Sequence, residues 1–199
     1  MSALVASVFR ALCGSRARWQ GCEPAAQPRI YFANHTSHLD AVVLWATLPA
    51  PLRARTRPVA AKDYWNATRF RRWMAEQVFQ ALLIERRNVT AHENPLRDML
   101  KALDAGDSLI LFPEGTRSTH LEPQPFKSGL FHLAKQRPDI ELIPVYLENL
   151  NRILPKGEIL PVPLMGSVTL GAPVKLAAGE TKELFLTRAR AALWNLHRL

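Results

Sequence analysis

Two short runs of residues hold most of the chemistry in this sequence. The first is Asn34-His35-Thr36-Ser37-His38-Leu39-Asp40, placed just after an apolar, strand-like run and at the start of a helix-like one. An imidazole leaving a strand end is well placed for a cleft beside a sheet. A carboxylate five residues on can fold back as the helix begins and accept a hydrogen bond from one ring nitrogen. That fixes the tautomer and leaves the other nitrogen to take a proton from a hydroxyl. The same residues also fit a plainer role, with His35 as a polar helix entry and Asp40 as a first-turn charge complementing the helix dipole.

The second run is Phe112-Pro113-Glu114-Gly115-Thr116-Arg117-Ser118, again directly after a strand-like segment. Gly115 permits close backbone approach, and Thr116 and Ser118 offer hydroxyls. Arg117 can grip a phosphate through two parallel hydrogen bonds. Taken alone, a turn carrying an ordinary surface arginine would read the same way.

The elements that must position these runs alternate along the chain. Residues 29–33, 57–61, 78–84, 108–112, 141–147 and 168–170 read as strands. Helix-like stretches lie near 37–48, 63–76, 91–105, 126–137 and 180–197, the first ending at Leu48-Pro49. Alternation of this kind predicts an α/β fold: a single layered domain with a mostly parallel central sheet flanked by helices. The Pro-rich piece 154–163 reads as a surface loop before the last strand. Two units are expected, a short N-terminal helical segment at 1–27 with possible membrane contact and the main domain at 28–199.

With 199 residues, 48% of them hydrophobic and 22% charged, the chain can bury one core and reads neither as disordered nor as a polytopic membrane protein. The formal charge of +9 sits mainly in the first hundred residues, which suits anionic lipid headgroups, phosphorylated substrates or nucleic acid. A nucleic-acid binder needs a recognition helix or an aromatic sheet motif, and neither is present. Two cysteines, Cys13 and Cys22, are too few for a disulfide framework and point to a reducing, cytoplasmic compartment. His92, His120, His132 and His197 are scattered without metal-ligand spacing, so no metal is expected.

Together the two runs resemble the glycerolipid acyltransferase family, whose best-known members are the 1-acylglycerol-3-phosphate acyltransferases. Asn-His-x-Ser-x-x-Asp at 34–40 is followed by Phe-Pro-Glu-Gly-Thr-Arg-Ser at 112–118 in the family's order and spacing. Lys62 with Ile84-Glu85-Arg86 is similar to the family's middle block, and Ile143-Pro144-Val145 to its fourth. Phe126-Lys127-Ser128-Gly129 is similar to the stretch that follows the third block. The likeness runs from about residue 29 to 171.

The resemblance implies the following. His35, oriented by Asp40, deprotonates a hydroxyl as it attacks a thioester carbonyl, with no acyl-enzyme. Lys62, Arg86 and Arg117 hold the acceptor phosphate beside Gly115 and Thr116, and Glu114 orients that loop or the glycerol. Backbone amides near the helix start or around Gly115 are candidates for the oxyanion donors. The acceptor is a lysophospholipid, most simply 1-acylglycerol 3-phosphate. The donor is acyl-CoA or acyl-ACP, with no cofactor. Other acceptors (glycerol 3-phosphate, another lysophospholipid, a lyso-aminolipid) and a non-catalytic lipid-binding relative are the alternatives.

One departure bears on membrane contact. Family members commonly carry a longer hydrophobic N-terminal region. Here the uncharged stretch before Arg10 is far short of the roughly 20 residues that span a bilayer. It lacks the basic leader of a secretory signal. Wound as a helix, it places Leu4, Val5, Val8, Phe9 and Leu12 on one face, for a core or for the plane of a membrane. The basic, aromatic stretch 53–74 is the stronger candidate for the headgroup layer. The expectation is peripheral association with the cytoplasmic face of an anionic membrane.

Overall fold

The computed structural model describes residues 2–13, 16–37, 39–85, 94–150 and 166–198. Seven strands form one sheet: β1 (Arg16–Trp19), β2 (Arg29–Ala33), β3 (Thr56–Ala61), β4 (Leu82–Ile84), β5 (Ser108–Leu111), β6 (Glu141–Glu148) and β7 (Ser167–Leu170). Their spatial order is β1-β7-β6-β2-β5-β3-β4. Every neighbouring pair is parallel except β6 and β7, which makes this the α/β fold that the alternating pattern predicts.

β2 and β5 are buried along their whole length, because helices cover both faces of the sheet. Side-chain alternation divides the core in two. Tyr31, Ala33 and Ile110 face a layer built from α1 (Ser2–Cys13) and α2 (Asp40–Thr47). Ile30, Phe32, Leu109 and Leu111 face the other layer. That layer is built from α6 (Pro95–Asp104), α7 (Gly129–Gln136) and α8 (Lys182–Asn195). The chain leaves β2 into α2 on one face, and leaves β5 toward α7 on the other. Adjacent parallel strands whose outgoing connections part to opposite faces leave a crevice at their carboxyl ends, the usual place for a ligand in such sheets.

Several elements differ from those expected. The apolar run 78–84 is a strand only at Leu82–Ile84. Its front belongs to a π-helical turn, Met74–Val78. There Val78 and Phe79 are drawn into the α2 layer, with the Phe79 ring packing edge-on against Trp45 and Trp65. The helix expected over 63–76 is broken into α4 (Lys62–Trp65), α5 (Arg69–Trp73) and that π turn. The break comes at Thr68, whose extended backbone and side chain cap α5 by accepting from the Arg71 amide. A short α3 (Ala50–Ala54) follows Pro49. Residues 16–19, within the N-terminal stretch, form edge strand β1 against β7.

The helix α1 packs on α2 through Val5, Ala6 and Phe9, while Leu4 and Val8 point outward. In the basic stretch, Arg53 is buried: its guanidinium donates to the Leu48 carbonyl at 3.1 Å and lies over the Trp45 ring. Arg55 donates to the Ala105 carbonyl at 3.0 Å, and Arg57 pairs with Asp107. These three arginines join loops of the fold. In the later part of the stretch, Arg69, Arg71 and Arg72 are all exposed. Cys22 is a half-buried free thiol, and burial pushes its pKa up. Among the described residues, no helix is long and apolar enough to cross a membrane.

Candidate active site

The crevice at the carboxyl ends of β2 and β5 holds both motifs. Asn34, the first residue past β2, is buried and fixes the exit of the chain. Its amide donates to the Leu147 carbonyl at 2.9 Å and accepts from the Leu147 amide at 2.7 Å. His35 follows at the point where the backbone turns out of the sheet.

Asp40 is fully buried at the start of α2. Its Oδ2 accepts from the amides of Thr36 at 2.6 Å and Ser37 at 2.8 Å, and lies 2.8 Å from His35 Nδ1. The carboxylate thus organises the turn and the imidazole with one oxygen. Oδ1 is buried with no hydrogen-bond partner among the described residues. The His35 ring stacks on Phe112 of the second motif, with centroids 4.3 Å apart. With Nδ1 engaged, Nε2 is the nitrogen left for a substrate proton. One oxygen thus ties the turn that enters α2 and holds the histidine.

Glu114 locks the two motifs to each other. Its Oε1 accepts from the His35 amide and its Oε2 from the Gln124 amide, both at 2.8 Å. The Ser118 amide returns a bond to the His35 carbonyl at 2.8 Å. Burial pushes the Glu114 pKa above the ordinary carboxylate value, and the two amide bonds only partly offset it. A carboxyl raised in this way stabilises the fold fully below its unfolded pKa, near 4.5. That contribution is lost as pH rises through the folded value. The unfolding free energy of the wild type relative to Glu114→Gln is expected to fall with rising pH across this window. Urea unfolding of both proteins at stepped pH measures it, and a difference that stays flat would contradict the burial effect.

A cavity of about 350 Å³ opens beside His35. Its polar lining comes from His35, Gly115, Thr116, Arg117 and Lys127. Its apolar lining includes Val59, Met99, Leu111, Leu130 and Leu133, with Tyr64 and Trp65 from the helix after β3. Gly115 has φ +71°, and a Cβ there would stand 2.6 Å from Lys127 Nζ. The bare glycine lets the lysine stem cross the loop. The Lys127 amide ties the crossing by donating to the Pro113 carbonyl at 2.8 Å. Gly115→Ala is expected to cost about 1–3 kcal/mol of stability from the left-handed backbone. It should also displace the ammonium, raising KM for a phosphate-bearing acceptor. A denaturation curve and a saturation curve test the two parts separately.

Of the residues singled out in the sequence, His35, Asp40, Glu114, Gly115, Thr116 and Arg117 come together here. Lys62 begins α4 and is exposed; its neighbours Ala61 and Tyr64 line the cavity, and Lys62 lies outside the lining. Arg86 and His38 lie outside the described residues. At the two places expected to supply oxyanion donors, the helix start and the loop around Gly115, four of the amides already have partners within the fold. Thr36 and Ser37 donate to Asp40, Leu39 to the Ser37 hydroxyl, and Gly115 to the Phe112 carbonyl. Lys127 was given no role by the sequence, although it sits in a quoted motif. Its signal was position, a cation just after a proline-rich return and just before a helix. Among the described residues, no group of three or more His, Cys, Asp or Glu side chains is placed to hold a metal.

The chain is 32% identical over 153 residues to a 1-acyl-sn-glycerol-3-phosphate acyltransferase of Limnanthes douglasii, covering 73% of this chain and 50% of that protein. It is 29% identical over 143 residues to 1-acyl-sn-glycerol-3-phosphate acyltransferase alpha of Homo sapiens, covering 69% and 47%. The chain therefore spans about half the length of the curated relatives it matches. The crystal structure of the 1-acyl-sn-glycerophosphate acyltransferase PlsC from Thermotoga maritima aligns with a TM-score of 0.75. The match covers 99% of this chain and 77% of that one at 22% identity, a likeness of fold. The acyltransferase family model matches residues 16–148, and with both motifs inside that span the chain belongs to the acyltransferase family.

Proposed function

We propose that this protein transfers a fatty acyl group from a thioester, acyl-CoA or acyl-ACP, to the free hydroxyl of 1-acylglycerol 3-phosphate, giving phosphatidic acid. The observation that carries the reading is the His35–Asp40 pair at a cavity whose lining holds His35 together with Arg117 and Lys127. His35 Nε2 takes the hydroxyl proton as the oxygen attacks the thioester carbonyl. The C–S bond then breaks, and the imidazolium returns the proton to the departing thiolate. Asp40 favours the imidazolium formed between these steps. Every atom is accounted for without a metal or cofactor.

Arg117 and Lys127 supply cations for a phosphate monoester, an arrangement poorly used on a neutral headgroup. Lys62 and Arg86 complete the set in this reading. The apolar walls take an acyl chain. The partners are the acceptor, the thioester donor and an anionic membrane surface, met at the cytoplasmic face by peripheral association.

The test is transfer of a labelled acyl group to a panel of acceptors presented in mixed micelles, with both donors. Phosphatidic acid formed in preference to products from glycerol 3-phosphate and neutral lysolipids supports the assignment. Preference for another acceptor moves the protein to that reaction. Lipid binding without transfer from any pair would leave a binding protein on the same fold.

A further inference from the structure

The helix α5 (Arg69–Trp73) has five residues, Arg69, Phe70, Arg71, Arg72 and Trp73, and all are exposed. Phe70 is 69% accessible and Trp73 40%, and their rings stack on the surface with centroids 6.1 Å apart. Elsewhere the large aromatics of this region are taken into the core: Trp65 packs with Phe79, and Phe79 with Trp45. The pair on α5 is left out although the same layer had room for its neighbours. An exposed stacked pair ringed by arginines marks a contact surface.

The charges agree with that. Three arginines stand on α5, against the acids Asp63 on α4 and Glu76 on the following turn. Arg72 reaches Glu76 at 2.8 Å, an exposed pair. The Arg71 guanidinium lies 4.6 Å over the ring of Tyr64. Tyr64 lines the cavity, so the patch touches the cavity wall through this side chain. The outward-facing Leu4 and Val8 of α1 belong to the layer on the same side of the sheet.

We propose that α5 is the face that docks on an anionic lipid surface. Its aromatic pair enters the headgroup layer and its arginines meet lipid phosphates, which brings the Tyr64 side of the cavity to the membrane. Aromatic rings flanked by basic residues match that layer in both polarity and charge. The docking stands without the acyltransferase reading; only the consequence that lipid reaches the cavity past Tyr64 rests on it.

The test is sedimentation of the full chain with vesicles of phosphatidylcholine alone, and of equal parts phosphatidylcholine and phosphatidylglycerol. The proteins are wild type, Phe70→Ser/Trp73→Ser and Arg69→Gln/Arg72→Gln. Wild type is expected on the anionic vesicles. The arginine pair should weaken binding about fivefold per residue removed, and the aromatic pair should lower it on anionic vesicles at any salt. Fluorescence quenching by brominated acyl chains should drop in Trp73→Phe. Unchanged binding by both double variants overturns the proposal, as does wild type that binds neither vesicle. Acyl carrier protein, also acidic, is run in parallel; losses confined to that partner overturn it too. If vesicle binding behaves as expected and no acyl transfer is found, the catalytic reading fails and the docking face stands.

Discussion

His35→Ala is expected to lower the rate of acyl transfer by about 10²–10⁴-fold, the usual cost of losing a general base, in a protein that remains folded. The two parts of the expectation have separate causes. In the proposed mechanism catalysis depends on the imidazole, which meets both the Asp40 carboxylate and the cavity. The bonds joining the two motifs at this position are made by the backbone, from the His35 amide to Glu114 and from the Ser118 amide to the His35 carbonyl. Alanine keeps both. The ring's stacking on Phe112 is lost, but His35 is part-exposed and the gap opens to the cavity. Initial rates and a thermal melt on the same preparation check this. Undiminished turnover would falsify the assignment of His35 as base.

Asp40 should respond differently to two substitutions. Asp40→Ala removes the one oxygen that receives two backbone amides and the histidine in a fully buried position. Each orphaned amide costs about 1–3 kcal/mol, so this variant is expected to lose much of its stability. Asp40→Asn can keep its amide oxygen in the place of Oδ2 and put its NH₂ where Oδ1 now stands unpartnered. The turn then survives, while the negative charge opposite the imidazolium is gone. Replacing a charge-assisted hydrogen bond by a neutral one removes about 1–2 kcal/mol, or roughly 5–30-fold in rate. The measurement is kcat beside unfolding free energy for each variant. Equal rates in wild type and Asp40→Asn would confine Asp40 to building the turn.

Much of this was legible in the sequence because the strongest signals were local. β2, β5 and β6 are short apolar runs buried on both faces, so their residues alone mark them. The chemistry-bearing runs sit at strand ends, where the fold class puts sites. What escaped depended on distant partners. Val78 and Phe79 read as strand, yet they belong to a turn because Trp45 and Trp65 supply a place for the Phe79 ring. β1 was not foreseen, since Arg16 and Arg18 are exposed and only Ala17 and Trp19 face inward. Four residues are too few to establish a period of two. Lys127 enters the cavity because Gly115 leaves room for its stem, a fact of packing between residues in different loops. The engaged amides of Thr36 and Ser37 could not be known before Asp40 was placed.

The pairing of β1 with β7, in which Arg16 stands opposite Ser167, has a consequence for the order in which the molecule is made. A ribosome emits about 5–20 residues per second, so the first strand waits on the order of ten seconds or more for the partner that receives it. Throughout that interval α1 can settle on α2 while β1 has no ladder to join. Sheet closure at this edge is thus a late event in synthesis, and a nascent chain arrested before β7 would carry an open seam along β6.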